Sequence, residues 1–139
     1  MRYILLIHDD DAEWDAMSQD ERDAIGAEFG AFNDELRAAG ALVVGNELQP
    51  GSTASVVSVR DGEMVVTDGP FAETKEVLGG YYLVDADTFE EAVEWASKVP
   101  SARFGHVEVR PVALHAQEIV LAPEPGRLGS LAHVACPRL

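Results

Sequence analysis

Asp68, His8 and His106 are the side chains of this chain that sequence position best equips to move protons. Asp68 opens the run Asp68-Gly69-Pro70-Phe71. A carboxylate placed before Gly-Pro accepts hydrogen bonds from the next backbone N–H groups, and Pro70 is pre-set for the first position of a turn. Such a group serves as a structural stop, or as a rigid general base at a cleft mouth. His8 precedes Asp9, Asp10 and Asp11. An imidazole among carboxylates is more basic than usual and can shuttle protons or bind a divalent cation. Neighbours on a strand point to opposite sides, however, so a plain capped strand end competes with that reading. His106 shares one face of a predicted strand with Glu108 and Arg110. These three make either a solvated ladder on an edge strand or a polar patch that orients a ligand. Lys75 stands among Glu73 and Glu76. The group is a solvated face with ion pairs worth at most ~1 kcal/mol, or Lys75 clamps an anionic substrate group, as Arg110 could. Phe71 anchors its loop or walls a pocket. Gly79-Gly80 permits a bulge or a close approach to the backbone. Tyr81 or Tyr82 then points into that room, and parity alone does not say which.

The elements that must position these groups follow from periodicity. "RYILLIH" (2 to 8) is apolar on both alternating faces, which marks a strand inside a sheet covered on both sides. "DDDAEWDAM" reads as a polar loop. Ser18 with Glu21 forms a capping box, and Ile25, Phe29, Phe32 and Leu36 make one helical stripe that Gly40 ends. "ALVVGNEL" is a second strand, stopped at Gln49-Pro50-Gly51. "TASVVSVR" and "EMVVTD" form a hairpin turned at Asp61-Gly62. "YYLVDA" is a strand, Thr88 with Glu91 caps a second helix closed by Pro100, and "GHVEVRPV" is the last strand. The order β-α-β, hairpin, β-α-β predicts an α+β, ferredoxin-like split βαβ fold with an inserted hairpin and both helices on one face. The other face needs a cover, and a second copy packed sheet to sheet is the simplest one.

Composition narrows the function. The chain has 139 residues, the size of one domain, and a net charge of −15 from 25 acids against 10 bases. That field repels a phosphate backbone, so no nucleic-acid partner is expected. No run approaches the ~18 to 20 apolar residues of a membrane span. One cysteine, Cys136, and the lack of a leader-like start point to the cytoplasm. No phosphate loop, nucleophile elbow, H-E-x-x-H or paired-cysteine motif is present, so no metal or cofactor is expected. Residues 116 to 139, with three prolines in "APEPGRLGSLAHVACPRL", read as an extended or disordered tail; His133 and Cys136 make at most half a metal site.

The run "DGPFAETKEVLGGYYLVDADTFEEAVEWA" resembles the signature of the DGPF-domain branch of the YCII-related family. "RYILLIH", "VEVRPV" and "FNDELRAAGALVVGNEL" are similar to that family's terminal strands and its first helix with second strand. The resemblance covers a domain over residues 1 to 115. It implies a dimeric α+β barrel, a homodimer of ferredoxin-like subunits. It also implies relatives that are largely uncharacterised, many encoded beside or fused to extracytoplasmic-function sigma factors, some acting on small aromatic compounds. Those enzymes are expected to use a His on the first helix and an Asp near the end of the second. Here residues 21 to 39 hold no His, and "SKVPSARFG" holds no Asp. Two expectations follow. One is a cofactor-free isomerase or lyase-type enzyme acting on a small organic substrate in the dimer cleft. Its base is Asp68 or His8, its acid His106 or a Tyr, and its anion clamp Lys75 or Arg110. The other is a non-catalytic module that binds a small ligand or a sigma factor.

Overall fold

A computed structural model describes residues 1–71 and 74–114. The expectations for Glu73 and for the tail with His133 and Cys136 lie outside the described residues. The elements are β1 (Arg2–Asp9), α1 (Asp11–Ala16), α2 (Gln19–Ala38), β2 (Leu42–Glu47), β3 (Ser55–Arg60), β4 (Glu63–Asp68), β5 (Val77–Asp85), α3 (Phe89–Lys98) and β6 (His106–Pro111). Short 3-10 turns occupy Gly51–Thr53 and Pro100–Arg103.

Four strands form an antiparallel sheet in the order β2-β5-β1-β6, and β3 pairs only with β4. This is the split βαβ, ferredoxin-like α+β arrangement, with the hairpin inserted between β2 and β5. Alternation on the strands decides which face the helices cover. Tyr3, Leu5 and Ile7 of β1 and Tyr82 and Val84 of β5 are buried, while Ile4, Leu6 and Leu83 on the opposite face are only half-buried. Against the buried face, α2 supplies Phe32 and Leu36, and α3 supplies Ala92, Trp95 and Ala96. Phe32 meets Tyr82 edge-on at 5.2 Å between ring centroids, and Trp95 at 6.3 Å.

Local chemistry sets the boundaries. Ser18 and Glu21 close the capping box of α2, and Thr88 caps α3 through the Glu91 N–H. Gly40, at φ +68°, ends α2. The Ala41 N–H reaches the Leu36 carbonyl there, and the Gly40 N–H reaches that of Arg37. Positive φ at both Asp61 and Gly62 makes the hairpin turn of the primed type that matches strand twist. Among the described residues no helix is long and apolar enough to cross a membrane.

Two segments differ from the sequence reading. Residues 11–16, expected as loop, are the helix α1. Its stabilisation is polar: Asp10 caps it through the Ala12 N–H at 2.9 Å, and Asp11 and Glu13 lie in its first turn. No residue of α1 is buried, so no apolar period announces it. Strand β5 begins at Val77, four residues before the expected Tyr81, and carries Gly79-Gly80 within it. Its pairing with β1 slips between Ile7, opposite Gly80, and His8, opposite Leu78. Gly79 is thus the extra residue of a bulge.

Candidate functional site

A cleft of about 460 Å³ opens between α2 and the helix-facing side of β1, β5 and β2, within a single chain. The bulge builds its floor. With Gly79 unpaired, the Asp9 carboxylate comes so close that a Cβ on Gly79 would lie 2.7 Å from Oδ1. Similarly, a Cβ on Gly45 would lie 2.5 Å from the Tyr82 ring. Glycine at both positions gives the floor its depth. Ile7, Phe29 and Leu42 contribute apolar wall, and Trp14 of α1 lines the mouth. The helix wall is a stripe of α2 at steps of four, three, four and four: Arg22, Gly26, Phe29, Asn33 and Arg37.

Two titratable groups in the cleft are displaced from their ordinary behaviour. Burial holds the half-buried Asp9 carboxyl above its ordinary 3.8; Asp11, Glu47 and Glu76 push the same way, and His8 pulls against them. The Tyr82 hydroxyl donates to Asn33 Oδ1 at 2.6 Å. Burial raises the phenol above its ordinary 10.0, and the Arg37 charge draws it down. A carboxyl that accepts protons more readily than usual, in a concave and partly apolar site, is suited to proton transfer.

The mouth is framed by α1, which is tied down at both ends. Asp11 Oδ2 accepts the Gly51 N–H at 2.9 Å. Arg22 donates to the Trp14 and Asp15 carbonyls at 3.2 and 3.0 Å, closing the open C-terminal end of the helix. Asp10 Oδ2 is buried without a hydrogen bond, and its compensation is charge from Lys75 Nζ at 3.7 Å. The Asp68-Gly69-Pro70-Phe71 run buttresses this frame. The Gly69 N–H donates to the Ala54 carbonyl at 2.9 Å, the Gly69-Pro70 bond is cis, and Pro70 lies beside Gly51, the partner of Asp11.

Of the residues singled out from sequence, the structure brings Tyr82 to the cleft. Tyr81 points to the other side of the sheet, where its hydroxyl accepts from Asn46 Nδ2 at 2.9 Å. His8 and His106 are cross-strand partners of β1 and β6 on that same open face. His106 Nδ1 lies 2.5 Å from Glu76 Oε2, so His8, His106 and Lys75 gather around the end of β1 but do not line the cleft. Arg110 pairs with Glu108 at 2.7 Å along β6, an edge strand. Asp68 is exposed at the end of β4, and Phe71 is 87% exposed. Among the described residues no hydrogen bond or ion pair links Asp68 to either histidine, and no three His, Cys, Asp or Glu side chains converge to hold a metal. The sequence reading missed Asp9, Trp14, Arg22, Asn33 and Arg37. The α2 residues carried a signal, a polar stripe at helical spacing beside the apolar one. Alternation puts Asp9 on the side of Tyr3, Leu5 and Ile7; what no sequence pattern showed is that the Gly79 bulge on β5 opens room there for its carboxylate.

Residues 1–115 match the YCII-related domain family. A protein of Rhizobium meliloti (strain 1021), described as uncharacterized, is 35% identical over 132 residues, which span 94% of this chain and 100% of that one.

Proposed function

The chain belongs to the YCII-related family, and we propose that its cleft binds a small organic molecule on which Asp9 acts as the proton-transfer group. The reaction class is cofactor-independent isomerisation or elimination, in which a base removes a proton from carbon and an acid returns one. The observation that carries this reading is the Asp9 carboxyl on the glycine floor, held above its ordinary value by burial and by three neighbouring acids. Deprotonated, the carboxylate is a stronger base than a water-exposed aspartate, because burial and the neighbouring acids raise its affinity for a proton. Tyr82, hydrogen-bonded to Asn33, orders the opposite end.

The test is deuterium uptake. The protein is incubated in D2O with a panel of small ketones and organic acids, and exchange at acidic C–H positions is followed by NMR. Wild type is expected to exchange at least one member, and Asp9→Asn to lose roughly 100-fold or more of that rate. Saturable binding without exchange would instead make the cleft a ligand-sensing site, with Asp9 as a hydrogen-bonding group only.

A further inference from the structure

We infer that the Arg37 end of the cleft takes the anionic group of an elongated organic acid. This rests on the cleft being a small-molecule site. Two arginines line it, and they are not equivalent. Arg22 is committed to the carbonyls of Trp14 and Asp15. Arg37 has a single ion-pair partner among the described residues, Asp34 on the same helix at 3.4 Å, and both side chains are well exposed. Such a pair is weak, so the guanidinium fork is available for a carboxylate that can take two of its N–H bonds. One turn back, Asn33 Oδ1 accepts from the Tyr82 hydroxyl, which leaves the amide N–H groups as donors. The Arg37 charge is felt at Tyr82, so it acts inside the cleft and not only in solvent.

The rest of the charge pattern gives the ligand a direction. Asp9, Asp11 and Glu47 line the opposite end. An anion is repelled there and attracted at Arg37, so the reacting portion is left beside Asp9. In a chain of net charge −15, no anion would be held without such a local cation. Strand geometry sets the length. Tyr82 stands opposite Leu5, and Asp9 lies four residues further along β1, roughly 13 Å at ~3.3 Å per residue. Ile7 and Phe29 line the apolar middle of that span.

The experiment uses the full chain and two probes of matched shape, 4-phenylbutanoate and its primary amide 4-phenylbutanamide. Binding is followed by isothermal titration and by NMR shifts of the Phe29, Asn33 and Tyr82 amides. Wild type is expected to prefer the carboxylate by about tenfold or more, the factor of one charge-assisted contact. Arg37→Gln is expected to bind both probes within about twofold of each other, with amide affinity unchanged, and Arg37→Lys to keep part of the preference. Unchanged melting temperatures will show that the exposed substitutions leave the fold intact. Equal binding of the two probes by wild type, or a preference that survives Arg37→Gln, overturns the anion end and leaves the cleft reading standing. If neither probe shifts any cleft amide, both readings are overturned.

Discussion

Asp9 carries a charge that folding disfavours, through burial and through the acids beside it. Its folded value is raised, so between the ordinary 3.8 and that raised value the folded chain holds the proton more tightly than the unfolded one. Stability therefore falls as pH rises through this window and levels off above it. Asp9→Asn removes the slope. The variant is expected to melt at a higher temperature than wild type at pH 7, and the two curves to meet below about pH 4. Thermal melts from pH 3.5 to 7.5 check this, and a variant less stable than wild type at pH 7 would overturn it. Tyr82→Phe should cost about 1 kcal/mol, or some 3 °C in melting temperature, by removing the 2.6 Å bond to Asn33. The sequence pointed to Tyr82 but not to Asp9. Alternation on β1 puts Asp9 on the side of Ile7, but the room its carboxylate occupies is opened by the slip on β5 at Gly79, which no period in the sequence announces.

At the scale of elements, the cleft depends on a six-residue helix that could not hold itself. α1 buries nothing, and isolated helices of this length are unstable in water. Beyond the Asp10 cap and the acids of its first turn, its anchors come from Arg22, Gly51 and Lys75, which no apolar period announces. Asp11→Ala cuts the tie to Gly51 and is expected to cost about 1 kcal/mol of local stability. Amide hydrogen exchange should quicken across residues 12–17 while β1 and β5 keep their protection; uniform protection would show that α1 needs no such tie. The two floor glycines should respond differently. A methyl on Gly45 meets the ring of buried Tyr82, so Gly45→Ala is expected to destabilise by ~1–3 kcal/mol in urea unfolding. A methyl on Gly79 meets only the end of the Asp9 side chain, which can turn away. Gly79→Ala should slow the deuterium exchange proposed for Asp9 more than it lowers the melting temperature. The capped helices α2 and α3 and the hairpin turn were legible because their signals lie within four residues of one another.

At the scale of the whole molecule, one face of the sheet and one face of the hairpin are left without cover among the described residues. Ile4, Leu6 and Leu83 stand half-buried on the open side of the sheet, with Val44 41% exposed nearby on β2. On the hairpin, Val57 pairs with Val66 and Val59 with Met64, an apolar stripe with all four residues more than half exposed. Alternation showed early that β1 was apolar on both faces, but it encodes only the need for a cover and not what the cover is. We propose a second copy as the cover, since a sheet face that pairs with itself suits a two-fold axis. Each copy carries a charge of −15, so apolar burial must overcome long-range repulsion. Light scattering after gel filtration is expected to give twice the 15.0 kDa chain mass at 0.5 M NaCl and a larger monomer fraction at 0.02 M. Leu83→Glu places two more acids in that interface, and its elution as a folded monomer at both salts is the expected result. A wild-type monomer at micromolar concentration in high salt would leave the open sheet face to some other partner.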